Sequence, residues 1–185
     1  MIGTMFVQDL AIFLATAFVE YKKARENSSA YAKLLSEELI QLRKEYDYIR
    51  IVAHSLGNLH LIKALEQIPI NSLPNEVHMC GAAVTEEELT KFMDMSTHSS
   101  NNMQLYHYWS ERDYLLYYVF QMVSLGDCPI GSMVCSGKET NYHIKELKQS
   151  RVESINVSEH FDFYVHNKYG QMFHKFAKAK KVFVE

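Results

Sequence analysis

The sequence predicts an α/β fold: a parallel sheet of about four strands with helices on both faces. Three observations carry that prediction. Short apolar stretches alternate with helix-like stretches through much of the chain. Those short stretches are near-continuous in apolar residues rather than alternating, as strands buried on both faces are. Tyr48 to Gln67, YIRIVAHSLGNLHLIKALEQ, reads as strand, tight turn and helix in succession.

That last stretch organises the rest. Ile49 to Val52 is a β-branched run, Ala53-His54-Ser55-Leu56-Gly57 is a sharp turn, and Asn58 to Gln67 is rich in helix formers and stopped by Pro69. A serine at the apex of such a turn, between small residues, is the setting of a nucleophile elbow. The pattern is G-x-S-x-G with Ala53 in the first glycine position. A strained turn of that kind holds the serine hydroxyl out beyond the sheet, where a base can reach it. The plainer alternative is a strand-to-helix turn in which Ser55 only caps the helix.

Before the elbow, Val7, Leu10, Leu14, Phe18 and Tyr21 recur in steps of three and four, one face of a helix to about Asn27. Ser28 or Ser29 is placed to cap a second helix with the stripe Tyr31, Leu35, Leu39, Leu42 and Tyr46. After Pro69 and Pro74, Val77 to Val84 is a second strand. Thr85 with Glu88 makes a capping box for a short helix ending near Met93. Met95 to Asn102 reads as a loop, Met103 to Trp109 as a third strand, and Tyr114 to Ser124 as a helix. Gly126 to Ser150 reads as a long irregular excursion, in the position of a lid, with a short helix near Ile144 to Lys148. Val152 to Val157 is the fourth strand, and Phe163 to Lys181 the closing helix despite Gly170. One domain of 185 residues is expected, with residues 1–47 a helical cover and 48–185 the core.

Composition narrows the function classes. With 48% apolar and 22% charged residues the chain is globular. A net charge of −3, with no basic stripe among aromatics, speaks against nucleic acid as a partner. Lys175, Lys178, Lys180 and Lys181 suit the last turn of a helix, with a lipid-surface patch as the sharper alternative. Cys80, Cys128 and Cys135 form no C-x-x-C pair, which argues against a disulfide framework and a zinc site and fits a reducing, cytoplasmic setting. The nine histidines show no metal-binding spacing, so neither metal nor cofactor is called for. Leu10 to Val19 is too short to span a bilayer. No basic residue precedes it and Asp9 sits at its edge, which argues against a cleaved signal.

In open α/β sheets the reactive groups lie beyond the carboxyl ends of strands. The first strand delivers Ser55, the third Asp113 and the fourth His160. Ser55 would be the nucleophile, His160 its base near neutral pH, and Asp113 the group that fixes the imidazole tautomer. The Leu56 N–H would supply half of an oxyanion hole. Glu111 and Asp94 are competing acids, and His107, His166 and His174 competing bases, the last two expected within the closing helix.

The runs AHSLGN, CGAAVTEEEL, YHYWSERDYLL with CPIGS, and ESINVSEHFDFY together resemble an α/β-hydrolase family that includes the transmembrane and coiled-coil domain-containing proteins. The resemblance covers roughly Tyr48 to Tyr164. It implies a Ser-Asp-His triad at Ser55, Asp113 and His160, and membrane-surface association in some relatives; the ordered residues themselves point to hydrolysis of an ester or thioester, lipid-like substrates included. It identifies no substrate. One departure is plain: strands that normally precede the elbow, and the loop carrying the second oxyanion N–H, have no counterpart before Tyr48. The Ile49–Val52 strand would then be a bare sheet edge. Met1 to Asn27, a second copy of the chain or a preceding segment of a longer chain is expected to cover it. An inactive scaffold of the same fold that binds a partner or lipid is the alternative function.

Overall fold

The computed structural model describes residues 2–97, 103–124, 127–132, 152–162 and 165–178. Four short stretches form strands, three at apolar or aromatic runs and the last at the mixed stretch VESIN. They are β1 (Arg50–His54), β2 (Glu76–Cys80), β3 (Gln104–Trp109) and β4 (Val152–Asn156). All pair in parallel, in the order β1-β2-β3-β4. The fold is therefore α/β with a four-stranded parallel sheet, as the alternation of short apolar stretches and helices implies.

Helices α1 (Ile2–Glu45), α2 (Gly57–Leu65), α3 (Glu86–Thr97), α4 (Tyr114–Val123) and α5 (Tyr169–Phe176) surround it. The expected break at Asn27–Ser29 does not occur, and α1 is one helix of 44 residues. Its cause is local. The Ser28 hydroxyl, placed to cap a new helix, instead donates back to the Ala24 carbonyl at 2.9 Å, within the same helix. Ser36 donates to Lys33 in the same way. The buried stripe also differs from the large-residue stripe expected. Ser28, Ala32, Ser36 and Leu39 face inward, while Tyr31, Leu42 and Tyr46 are exposed. Small side chains on that face let α1 lie close along α2.

The capping box at α3 forms as the spacing requires: Glu88 N–H donates to Thr85 Oγ1 at 3.2 Å, and Thr85 N–H to Glu88 Oε2 at 2.9 Å. The helix runs on to Thr97, past the expected stop near Met93. The closing helix is shorter than expected. A 3₁₀ turn, His166–Lys168, precedes α5, and no helix covers Phe161 to Val165 among the described residues. Most of the expected excursion, residues 133–150, with its short helix and its reading as a lid, lies outside the described residues.

The two faces of the sheet differ in chemistry. On one, Ile51, Ala53, Val77, Met79, Leu105 and Val152 pack with α1, α2 and α3 into an aliphatic core. On the other, Cys80, Tyr106 and Tyr108 pack with Phe161, Val165, Tyr169 and Phe176 into an aromatic one. The second cover stops short of β1, so Val52 is 50% exposed and Tyr48 38%. On its outer edge β1 pairs with no strand among the described residues. Helix α1 lies along α2 and reaches α4.

Among the described residues, no helix is long and apolar enough to cross a membrane. Cys80 is a buried free thiol, whereas Cys128 is disulfide-bonded. The sequence argument against a disulfide framework therefore needs correcting at Cys128.

Candidate active site

At the end of β1 the chain must reverse into α2 within two residues. It does so at Ser55, whose φ is +53°, the only positive φ among described non-glycine residues. That conformation costs a non-glycine residue of order 1–3 kcal/mol and persists only where its surroundings impose it. They do so here through the backbone. Ser55 N–H donates to the Cys80 carbonyl at 3.0 Å, and Ala83 N–H donates to the Ser55 carbonyl at 3.2 Å. The same carbonyl accepts from Asn58 N–H at 3.1 Å and Asn58 Nδ2 at 2.9 Å. Asn58 is fully buried, and its Nδ2 also reaches the Cys80 carbonyl.

The close backbone approach lies away from the elbow's own glycine. A Cβ on Gly57 would meet nothing within 4 Å. A Cβ on Gly131 would lie 2.1 Å from Ala82 N, because the Pro129–Ser132 segment bonds along the β2 exit: Ile130 N–H to Val84 and Gly131 N–H to Ala82. Gly81 has φ +49° and carries the Tyr169 ring against it.

After β3, the turn through Ser110–Arg112 delivers Asp113 to the same rim. Asp113 is buried and does two jobs. Its Oδ1 accepts from Leu116 N–H at 3.1 Å, capping α4. Its Oδ2 lies 2.9 Å from His166 Nδ1. One carboxylate oxygen thus caps the helix while the other faces the imidazole.

The imidazole is not the expected one. His166 Nε2 lies 2.8 Å from Ser55 Oγ. His160 sits on the Ser158–His160 turn against the Phe176 ring, with Nε2 3.6 Å from Glu159, and makes no contact with Ser55 or Asp113. The reason is the loop ahead of α5. Phe161 and Val165 are buried in the aromatic core, which draws the chain back over the sheet and sets His166, the residue after Val165, at the rim. Buried Phe161, Val165 and Tyr169, four apart, are the signal that could have found it. The remaining candidates fall elsewhere. His107 is buried in β3 with Nδ1 3.2 Å from Ser154 Oγ. His174 is exposed on α5, and Glu111 bonds to Asn156. The Asp94 side chain lies outside the described residues.

With Asp113 accepting from Nδ1–H, Nε2 is free to accept the Ser55 hydroxyl proton. Leu56 is the N-cap of α2, so its N–H is among those the helix leaves without an internal partner. Preceding β1 is α1, whose interior N–H groups are used within the helix. His54, the residue before the serine, lays its ring 4.7 Å from that of His166 and 5.6 Å from that of Tyr169. Burial, and then the nearby His166 charge, hold the His54 imidazole below its ordinary pKa. Among the described residues no cluster of His, Cys, Asp and Glu has the arrangement of a metal site. Comparison of the chain with protein-family models, with curated proteins and with solved structures finds no match to any of them.

Proposed function

We propose that this protein is a serine hydrolase of ester or thioester bonds, with Ser55 as nucleophile, His166 as base and Asp113 as orienting acid. The family resemblance seen in the sequence is part of that proposal, with His166 taking the role first given to His160. One observation carries it: a single imidazole lies within hydrogen-bond distance of both the Ser55 hydroxyl and the Asp113 carboxylate. In this mechanism His166 takes the Ser55 proton as Oγ attacks the carbonyl carbon, and Asp113 stabilises the imidazolium. The Leu56 N–H faces the developing oxyanion. Collapse of the tetrahedral species returns the proton to the leaving alkoxide or thiolate. Water, activated by the same imidazole, then releases the acid.

An apolar acyl or alcohol group is favoured as substrate. Helix α4, capped by Asp113, contains no charged residue and exposes Tyr114, Leu115, Tyr118 and Met122. A fluorophosphonate probe tests the function. Wild type and His160→Ala should label at Ser55, and Ser55→Ala and His166→Ala should not. Labelling that survives Ser55→Ala, or none in wild type, would defeat the proposal.

A second reading, an inactive scaffold of the same fold, is favoured because Leu56 N–H is the one oxyanion donor identified among the described residues. One such donor is worth roughly 10²–10³ in rate. Probe labelling with ester turnover at the background level would select that reading.

A further inference from the structure

Resting on the hydrolase reading, we propose that His54 is a positioning residue whose ring backs the His166 imidazole and keeps it aimed at Ser55 and Asp113. His166 is carried on a 3₁₀ turn, and its two hydrogen bonds, to Ser55 and Asp113, both use ring nitrogens, whose N–H and lone pair point in the ring plane. Bonds in one plane do not resist tilting out of it. The out-of-plane support comes from His54, at 4.7 Å and a tilt of 43°. His54 is held in turn by Tyr169, a fully buried ring seated on Gly81. The end of β1 therefore contributes twice to the site, through consecutive residues: Ser55 sets its hydroxyl 2.8 Å from His166 Nε2, and His54 lays its ring against the His166 ring.

The groups that face His54 are His166 from its turn, Asp113 from the start of α4, and Tyr169 from α5. The Asp113 charge and the His166 backbone carbonyl favour a proton on His54, but burial and the His166 charge oppose them and prevail. His54 is thus neutral at neutral pH, when His166 must accept a proton. A permanent cation at position 54 would reverse this, since two like charges at that separation oppose each other.

The test is a nuclear magnetic resonance titration of the His166 ring, paired with the pH profile of kcat and KM for a p-nitrophenyl ester. The proteins are wild type, His54→Phe, His54→Ala and His54→Lys, each checked for cooperative melting. His54→Lys should lower the His166 titration midpoint by about one pH unit, roughly tenfold in proton affinity, with the acid limb of kcat/KM moving equally. His54→Ala should lower kcat about tenfold at unchanged KM through a less well-held base, and His54→Phe should restore it to within about threefold. A midpoint in His54→Lys equal to that of wild type, or an alanine variant as active as the phenylalanine one, would overturn the proposal. The midpoint is read without turnover. A protein that shifts it but hydrolyses nothing would refute the hydrolase reading while leaving the coupling of the two rings standing.

Discussion

The molecule contains two trios of carboxylate, imidazole and hydroxyl, on residues that look interchangeable in the sequence. At the carboxyl rim of the sheet, Asp113, His166 and Ser55 stand in line at 2.9 and 2.8 Å. Lower on the aromatic face, Glu76 lies 3.4 Å from His78 Nε2, and His78 Nδ1 lies 3.0 Å from the Tyr108 hydroxyl. The second trio is sealed. The side chains of Glu76 and His78 are 1% and 0% exposed, and the His78 ring stacks on that of Tyr106 at 4.8 Å. Arg50 completes it from β1 at 2.7 Å from Glu76. Burial pushes the Tyr108 phenol well above its ordinary range and the His78 imidazole below its own. The rim trio keeps 12% of its imidazole open and places its hydroxyl on a strained turn. Residue types alone do not make a reactive group. Access, a hydroxyl forced off the regular backbone path and a base carried on a short turn separate chemistry from cohesion.

The comparison breaks most sharply on the carboxylates. Asp113→Asn keeps a side chain able to cap α4 but presents the wrong partner to Nδ1. Probe-labelling rate should fall on the order of 10⁴-fold. Glu76→Gln should leave that rate within a few fold, and a comparable loss there would erase the distinction. Next in size is cohesion. Glu76→Ala leaves Arg50 and buried His78 without their acid and should cost about 3–5 kcal/mol, read as a fall in melting temperature of roughly 6–20 °C.

A third test uses pH. Burial holds His107 down to about 4. Its folded value lies below the unfolded 6.5, so the unfolded chain binds the proton first as pH falls. Stability should therefore be full above pH 6.5 and lose about 3 kcal/mol by pH 4, and His107→Gln should flatten that decline in denaturant melts. The smallest effect expected is at Gly81. A Cβ there meets Tyr169 at 2.7 Å on a backbone of φ +49°, so Gly81→Ala should cost about 1–3 kcal/mol. Because Tyr169 holds His54, labelling should slow by a few fold as well. Unchanged labelling would detach the aromatic core from the rim.

Much of this was legible beforehand, and the failures have local causes. The elbow could be read because strand, apex serine and helix are contiguous. Asp113 could be read because it follows a strand and precedes a helix. His166 could not, because its neighbours Val165 and Tyr169 fit a helix stripe as well as they fit a loop docking on a sheet. The single α1 helix was missed because a serine's choice between capping forward and bonding backward depends on packing that the local sequence does not display. The sealed trio was invisible for a related reason. Strand residues two apart share a face, but only the register of β2 against β3 brings His78 beside Tyr106 and Tyr108.

If Ser55 is the nucleophile of the proposed hydrolase, its left-handed turn places function and folding in opposition at one residue. Glycine is the amino acid that this backbone position would prefer, and serine is held there against that preference by Cys80, Ala83 and Asn58. Substitution by glycine should consequently relieve backbone strain while removing the only atom of the residue that can attack a carbonyl. Directed evolution for heat tolerance alone, with no demand for turnover, would be drawn toward that exchange.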